Sequence, residues 1–85
     1  MNFEEAQQKI MQLKHKPNNT IMLQVYGLFK QATVGDTNIE RPGVFDLKGK
    51  AKWDSWQSMY GMSSDEAIIK YINLVQSLID TIGLE

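Results

Sequence analysis

The chain has 85 residues, 42% of them hydrophobic and 22% charged, with a net charge of -1 and no cysteine. That length sets one small domain, residues 1–85, with a modest core, and the missing thiols exclude disulfides and thiolate metal sites. No apolar run approaches the roughly 18 residues of a membrane span, and the charge balance is not the basic one of a duplex nucleic-acid binder.

The apolar spacing is helical rather than alternating. Phe3, Ala6, Ile10 and Leu13 repeat at three and four residues, which predicts a first helix that Pro17 stops. Asn2 with Glu5 three residues on has the form of a capping box. A second helix is expected from about Thr20 to Thr33, with Ile21, Val25, Leu28 and Ala32 along one stripe. Asn18 or Asn19 can cap its start, and Gly35 can end it in a left-handed turn. A long connection follows, from Gly35 to about Lys48. Loops of that length tend to be functional or to cross the molecule. A third helix is expected from about Lys50 to Tyr60, carrying Trp53, Trp56 and Tyr60, with Gly61 as its end. Ser63 opens the fourth, with Glu66 in capping-box position and Ala67, Tyr71, Ile72, Val75, Leu78 and Ile82 on a wide apolar face. Short first and last connections favour antiparallel neighbours. The long middle one lets helices two and three run parallel. The predicted fold is all-α, an up-down-down-up four-helix bundle.

The charges are unevenly spread. Residues 1–52 hold eight Lys/Arg against five acids, whereas residues 53–85 hold one lysine against five acids. The N-terminal MNFEEAQQ lacks the basic and apolar regions of a signal peptide. A soluble, cytoplasmic protein is the expectation. His15 is the sole histidine and lies between Lys14 and Lys16. A solvated residue is the ordinary reading there, and nothing pairs a nucleophile with a base and an orienting acid. Asp36, Glu40 and Asp46 in the long loop are the kind of carboxylates that cap turns. No catalytic residue, no metal site and no cofactor are expected.

The informative stretch is Tyr26 to Trp56, where four lysines and one arginine interleave with five aromatics. On helix two, Tyr26, Phe29, Lys30 and Thr33 share a face. A phenol and an ammonium one turn apart can both donate to one phosphate, and a neighbouring ring can stack a purine. Taken singly, Tyr26 and Phe29 read more readily as core and Lys30 as solvated surface. Lys48 and Lys52 are also one turn apart. Cations at a helix start oppose its dipole, so an outside anion would complete them; a solvated lysine run is the plainer reading. Trp53 and Trp56 read as core anchors. Met11, Met22, Met59 and Met62 offer adaptable apolar surface, and Tyr71 reads first as packing.

Joined in order, YGLFKQATVGDTNIERPG and KGKAKWDSW resemble the acyl-CoA-binding protein family, and the likeness runs from Phe3 to Gly83. The resemblance implies the same bundle and non-covalent binding, buffering and transport of medium- to long-chain fatty acyl-CoA esters by a cytosolic monomer. It implies that Tyr26, Lys30 and Lys52 hold the 3′-phosphate of CoA, that Phe29 covers the adenine, and that Lys48 and Tyr71 complete the headgroup site. Met22, Leu23, Val25 and Ala51 would lie near the acyl chain. It implies no nucleic-acid partner and no stable membrane insertion, and it allows transient contact with acyl-CoA-using enzymes. Two positions depart from the family's pattern: Phe29 stands where many members have tyrosine, and Met11 where many have a phosphate-contacting lysine. A weaker grip on the nucleotide end is the expectation. The alternatives are a helical protein-interaction module without a lipid ligand, and a nucleic-acid binder, against which the net charge argues.

Overall fold

A computed structural model describes all residues from 1 to 85. Four helices follow in order: α1 Phe3–Ile10, α2 Asn19–Thr33, α3 Leu47–Gln57 and α4 Ser64–Ile82. They form the expected up-down-down-up bundle, a flattened body of 37 × 28 × 15 Å. α1 packs on α4, α2 packs on both α4 and α3, and α3 packs on no helix but α2.

The helix starts obey their local chemistry. Asn2 accepts from Glu5 N at 2.8 Å while Glu5 Oε1 accepts from Asn2 N at 3.3 Å, a reciprocal box. Asn18, not Asn19, caps α2, accepting from Ile21 N at 2.9 Å. Ser63 Oγ accepts from Glu66 N at 3.1 Å and opens α4. Gly35, Gly61 and Gly83 each end a helical segment with φ near +90°, a conformation that side-chain-bearing residues disfavour.

Two boundaries differ from the sequence expectation. α1 stops at Ile10 rather than running to Pro17. Leu13 instead forms an antiparallel bridge with Leu84, through Lys14 N to Gly83 O and Glu85 N to Gln12 O, both 2.9 Å. The chain ends thereby satisfy each other's backbone groups and bury Leu13. α3 begins earlier, at Leu47, because Asp46 caps it by accepting from Gly49 N at 2.9 Å. It ends at Gln57, which leaves Tyr60 in a turn and exposed.

Ala6, Leu13, Val25, Leu28, Tyr71, Val75 and Leu78 form the core between α1, α2 and α4. The long loop is fastened across α3. Arg41 makes a two-pronged pair with Asp54 at 2.8 Å on each arm, and Trp53 Nε1 donates to Ile39 O at 2.9 Å. Trp56 Nε1 donates to Gly35 O at 2.7 Å. Gln31, buried on α2, donates to both Asp36 Oδ1 (2.9 Å) and Met62 O (2.8 Å), and Asp36 also accepts from Gly61 N at 2.7 Å.

Both loop-anchoring carboxylates titrate below the ordinary range. Asp36 is lowered first by the Gly61 N–H and then by Gln31; Asp54 is lowered first by its hydrogen bond to Arg41. A depressed folded-state pKa adds stability above the unfolded value of about 3.9, and that stability disappears as pH falls through the folded value. Urea midpoints are therefore expected to hold steady from neutrality to about pH 5 and to fall below about pH 4. In an Asp36→Asn/Asp54→Asn variant the acid decline should be shallower; an identical decline would deny these two groups a role in it.

The α2–α3 seam is close. Ser55 Oγ donates to Leu23 O at 2.5 Å. A Cβ at Gly27 would stand 2.7 Å from Ser55 Oγ and 2.8 Å from its carbonyl oxygen. Alanine for glycine inside a helix normally gains about 1 kcal/mol. Overpacking costs about 1–3 kcal/mol, and here the obstacle includes backbone. Gly27→Ala is expected to lower the unfolding free energy by about 1 kcal/mol net; a stabilised variant in urea would show that the seam yields.

Candidate functional site

The α2–α3 seam opens on one side into a groove of about 440 Å³. Asn19, Met22, Leu23 and Tyr26 from α2, Lys48, Ala51 and Lys52 from α3, and Lys16 from the preceding connection line it. Helical periodicity accounts for the composition of each wall. Residues 22, 23 and 26 share a face of α2, and residues 48, 51 and 52 share a face of α3. Met22, Leu23, Ala51 and the Tyr26 ring give an apolar floor. Lys16, Lys48 and Lys52 stand around it as cations.

The lysines are partly placed by aromatic faces. Lys52 Nζ lies 5.3 Å from the Tyr26 ring centroid, across the seam. Lys30 Nζ, one turn beyond Tyr26, lies 4.8 Å from the Trp56 ring centroid. Both distances fall within the reach of cation–π attraction. Neither ammonium forms a salt bridge to a carboxylate. Both keep their donors for something else.

Phe29 and Tyr71 sit apart from the groove floor, in an aromatic cluster with Phe3. Phe3 stacks on Phe29 at 6.2 Å and meets Tyr71 edge-on at 5.0 Å; Phe29 and Tyr71 are 6.5 Å apart. This cluster packs α1, α2 and α4 together at the level of the turn of α2 that carries Lys30. Burial pushes the Tyr71 phenol above its usual pKa, so it stays protonated and able to donate at neutral pH.

Six of the ten nominated side chains thus meet in one groove: Met22, Leu23, Tyr26, Lys48, Ala51 and Lys52. Lys30 stands on the flank of Trp56. Phe29 and Tyr71 form the separate aromatic cluster. Val25 lies in the core, outside the groove lining. Its place follows from the Ile21–Val25–Leu28 stripe, which faces α4. Lys16 and Asn19 line the groove without having been nominated. Their signal was weak: Lys16 belongs to the short connection, whose path depends on Leu13 being held at the C-terminus, and Asn19, the first residue of α2, read only as a cap candidate. Met11, on the far end of α1, is 86% exposed and meets none of the groove. No three His, Asp or Glu side chains converge on one point.

An apolar channel edged by unpaired ammonium groups suits an amphiphile with an anionic head. The family described as "Acyl CoA binding protein" matches residues 1–75. The chain is 45% identical over 83 residues to "Acyl-CoA-binding protein homolog 1" of Caenorhabditis elegans, spanning 98% of this chain and 96% of the relative. It is 46% identical over 79 residues to "Acyl-CoA-binding protein" of Brassica napus, spanning 93% and 86%. Among solved structures, the crystal structure of Oryza sativa Acyl-CoA-Binding Protein 2 superposes with a TM-score of 0.89 at 43% identity, covering 93% of this chain and 86% of that one.

Proposed function

We propose the function from one premise: this chain belongs to the acyl-CoA-binding protein family. It binds fatty acyl-CoA esters non-covalently, buffers them and carries them between sites of production and use. It works as a cytoplasmic monomer, without catalysis and without a cofactor. Medium- to long-chain esters are its ligands, and it contacts acyl-CoA-using enzymes only transiently.

The observation that carries this reading is the groove itself, apolar along its floor and cationic at its edges. The acyl chain lies along Met22, Leu23 and Ala51, with Val25 behind them as support. Lys52 and Tyr26 face each other across the seam and, with Lys30, donate to the 3′-phosphate. Lys48 adds a cation for the remaining phosphates. The adenine rests against the aromatic cluster, where Phe29 supplies the ring face and Tyr71 a protonated phenol. Phenylalanine at position 29 retains stacking and forgoes a hydroxyl donor. Methionine at position 11 brings no charge. Both soften the grip on the nucleotide.

Magnitudes divide the labour. Each shielded methylene contributes about 0.8 kcal/mol, so a chain of ~16 carbons gains roughly 10 kcal/mol when most of it is covered. Charge-assisted hydrogen bonds to phosphate add less energy but fix orientation and exclude uncharged lipids. Calorimetric titration with palmitoyl-CoA, CoA and palmitate tests this division. Palmitoyl-CoA is expected to bind far more tightly than either part alone. Equal affinity for CoA and palmitoyl-CoA would remove the tail from the account, and tight palmitate binding would remove the headgroup.

A further inference from the structure

The most exposed apolar side chains are not in the groove. Apart from Met11, they lie at the tip of the long loop, where it enters α3. Phe45 is 99% exposed, Leu47 72% and Val44 71%. The tip is an ordered turn: Asp46 N donates to Gly43 O at 3.0 Å, which places Val44 and Phe45 at its two corners. Asp46 then caps α3 through Gly49 N, and the Arg41–Asp54 pair clamps the incoming strand of the loop. Turn corners ordinarily favour Gly, Pro, Asn, Asp and Ser. Valine and phenylalanine held there in water bring the fold nothing, since they pack on no part of the core.

The charges around the tip are mostly positive. From Arg41 to Lys52 there are four cations and one acid. That acid, Asp46, is engaged in capping, and Arg41 is neutralised by Asp54, which leaves Lys48, Lys50 and Lys52 behind the apolar tip. Glu40, on the incoming strand, is the remaining acid in the neighbourhood.

We infer that the Val44–Phe45–Leu47 tip docks reversibly on an anionic lipid bilayer, the three side chains entering the headgroup–acyl boundary and the lysines meeting the lipid phosphates. The geometry favours a bilayer over a protein. The patch is three side chains on a single turn, whereas a specific protein interface buries about 800 Å² per partner. Apolar and aromatic side chains with lysines at their base suit the bilayer boundary. The patch is too small to hold the protein there permanently, since marginal hydrophobic anchors need a second signal. The consequence is positional: Lys48, Ala51 and Lys52, which line the groove, begin one residue after Leu47. Docking by the tip brings the groove mouth to the lipid surface.

The apolar tip lies outside the groove lining, although Lys48 and Lys52 serve both, so vesicle binding is measured without acyl-CoA. The 85-residue protein is sedimented with vesicles of phosphatidylcholine alone and of phosphatidylcholine with phosphatidylserine. Binding is expected to the anionic vesicles, little to the neutral ones, and it should weaken as salt rises. A V44S/F45S/L47S variant should lose at least about tenfold in vesicle partitioning, with helicity and solution affinity for palmitoyl-CoA unchanged. Phe45→Ser alone serves if the triple variant folds poorly. Because the chain has no cysteine, a polarity-sensitive dye on Phe45→Cys reports the tip alone, and its emission should shift to the blue on anionic vesicles. Absence of vesicle binding, unchanged binding by the serine variants, or a dye that sees only water overturns the proposal. A dimer that the serine substitutions dissolve, found by sedimentation velocity, overturns it in favour of self-association.

Discussion

Trp56→Ala is expected to remove about 3–5 kcal/mol of folding stability, the range for truncating a large buried aromatic. Trp56 is 2% exposed and is the one buried residue of α3. Its indole N–H is the tie to Gly35 O, at the point where the long loop leaves α2. Alanine therefore opens a cavity and leaves a carbonyl without its donor at once. A domain of this size has a total stability of only about 4–13 kcal/mol, so the variant should sit near its unfolding threshold at room temperature. Trp53→Phe is the control. That indole is half-buried and also bonds a loop carbonyl, Ile39 O; its loss should cost about 1 kcal/mol. Equal urea midpoints for the two variants would show that burial of Trp56 is not what holds α3 in place.

The second large effect concerns the ligand. Met22→Glu places a carboxylate on the apolar floor of the groove, where a bound acyl chain would strip it of water at a cost of several kcal/mol. Affinity for palmitoyl-CoA should fall at least a hundredfold, about 2.7 kcal/mol, while affinity for CoA without a tail should change little. Lys52→Ala acts at the other end. It should weaken CoA and palmitoyl-CoA alike, by about 1–3 kcal/mol, as expected for a lost hydrogen bond to a charged group. Tyr26→Ala and Lys30→Ala are expected to follow Lys52→Ala. If Met22→Glu weakened both ligands equally, the floor would not be the acyl slot. If the Tyr26, Lys30 and Lys52 variants all bound normally, the phosphate would be held elsewhere.

What the sequence made readable and what it hid can be separated by range. The four helices, the Asn2 and Ser63 caps and the long loop were visible because they depend on residues three and four apart. The end of α1 was not, since nothing in residues 11–14 forbids helix; Leu84, some seventy residues away, draws Leu13 out of it. The start of α3 was obscured by Gly49, which reads as a helix breaker. In the structure its N–H is the group Asp46 caps, and a Cβ there would collide with that carboxylate. The two groove walls were each readable as helix faces. Their meeting was not, because it depends on how closely α2 and α3 approach at Gly27 and Ser55. Lys16 was missed because its path depends on the Leu13–Leu84 bridge, and Asn19 because it read only as a cap candidate. Val25 belonged all along to the core stripe of its own helix, and proximity in sequence to Met22 and Leu23 did not carry it into the groove.

Among the helices α3 leans on α2 alone; its other ties are to the long loop. A guest lodged along that single seam therefore joins the same balance that keeps the wall upright. With the ligand in the proposed groove, loading should stiffen the wall, and whatever pries the wall outward should evict the cargo, because the two equilibria are reciprocal. On that reading the hinge and the cupboard door are one piece.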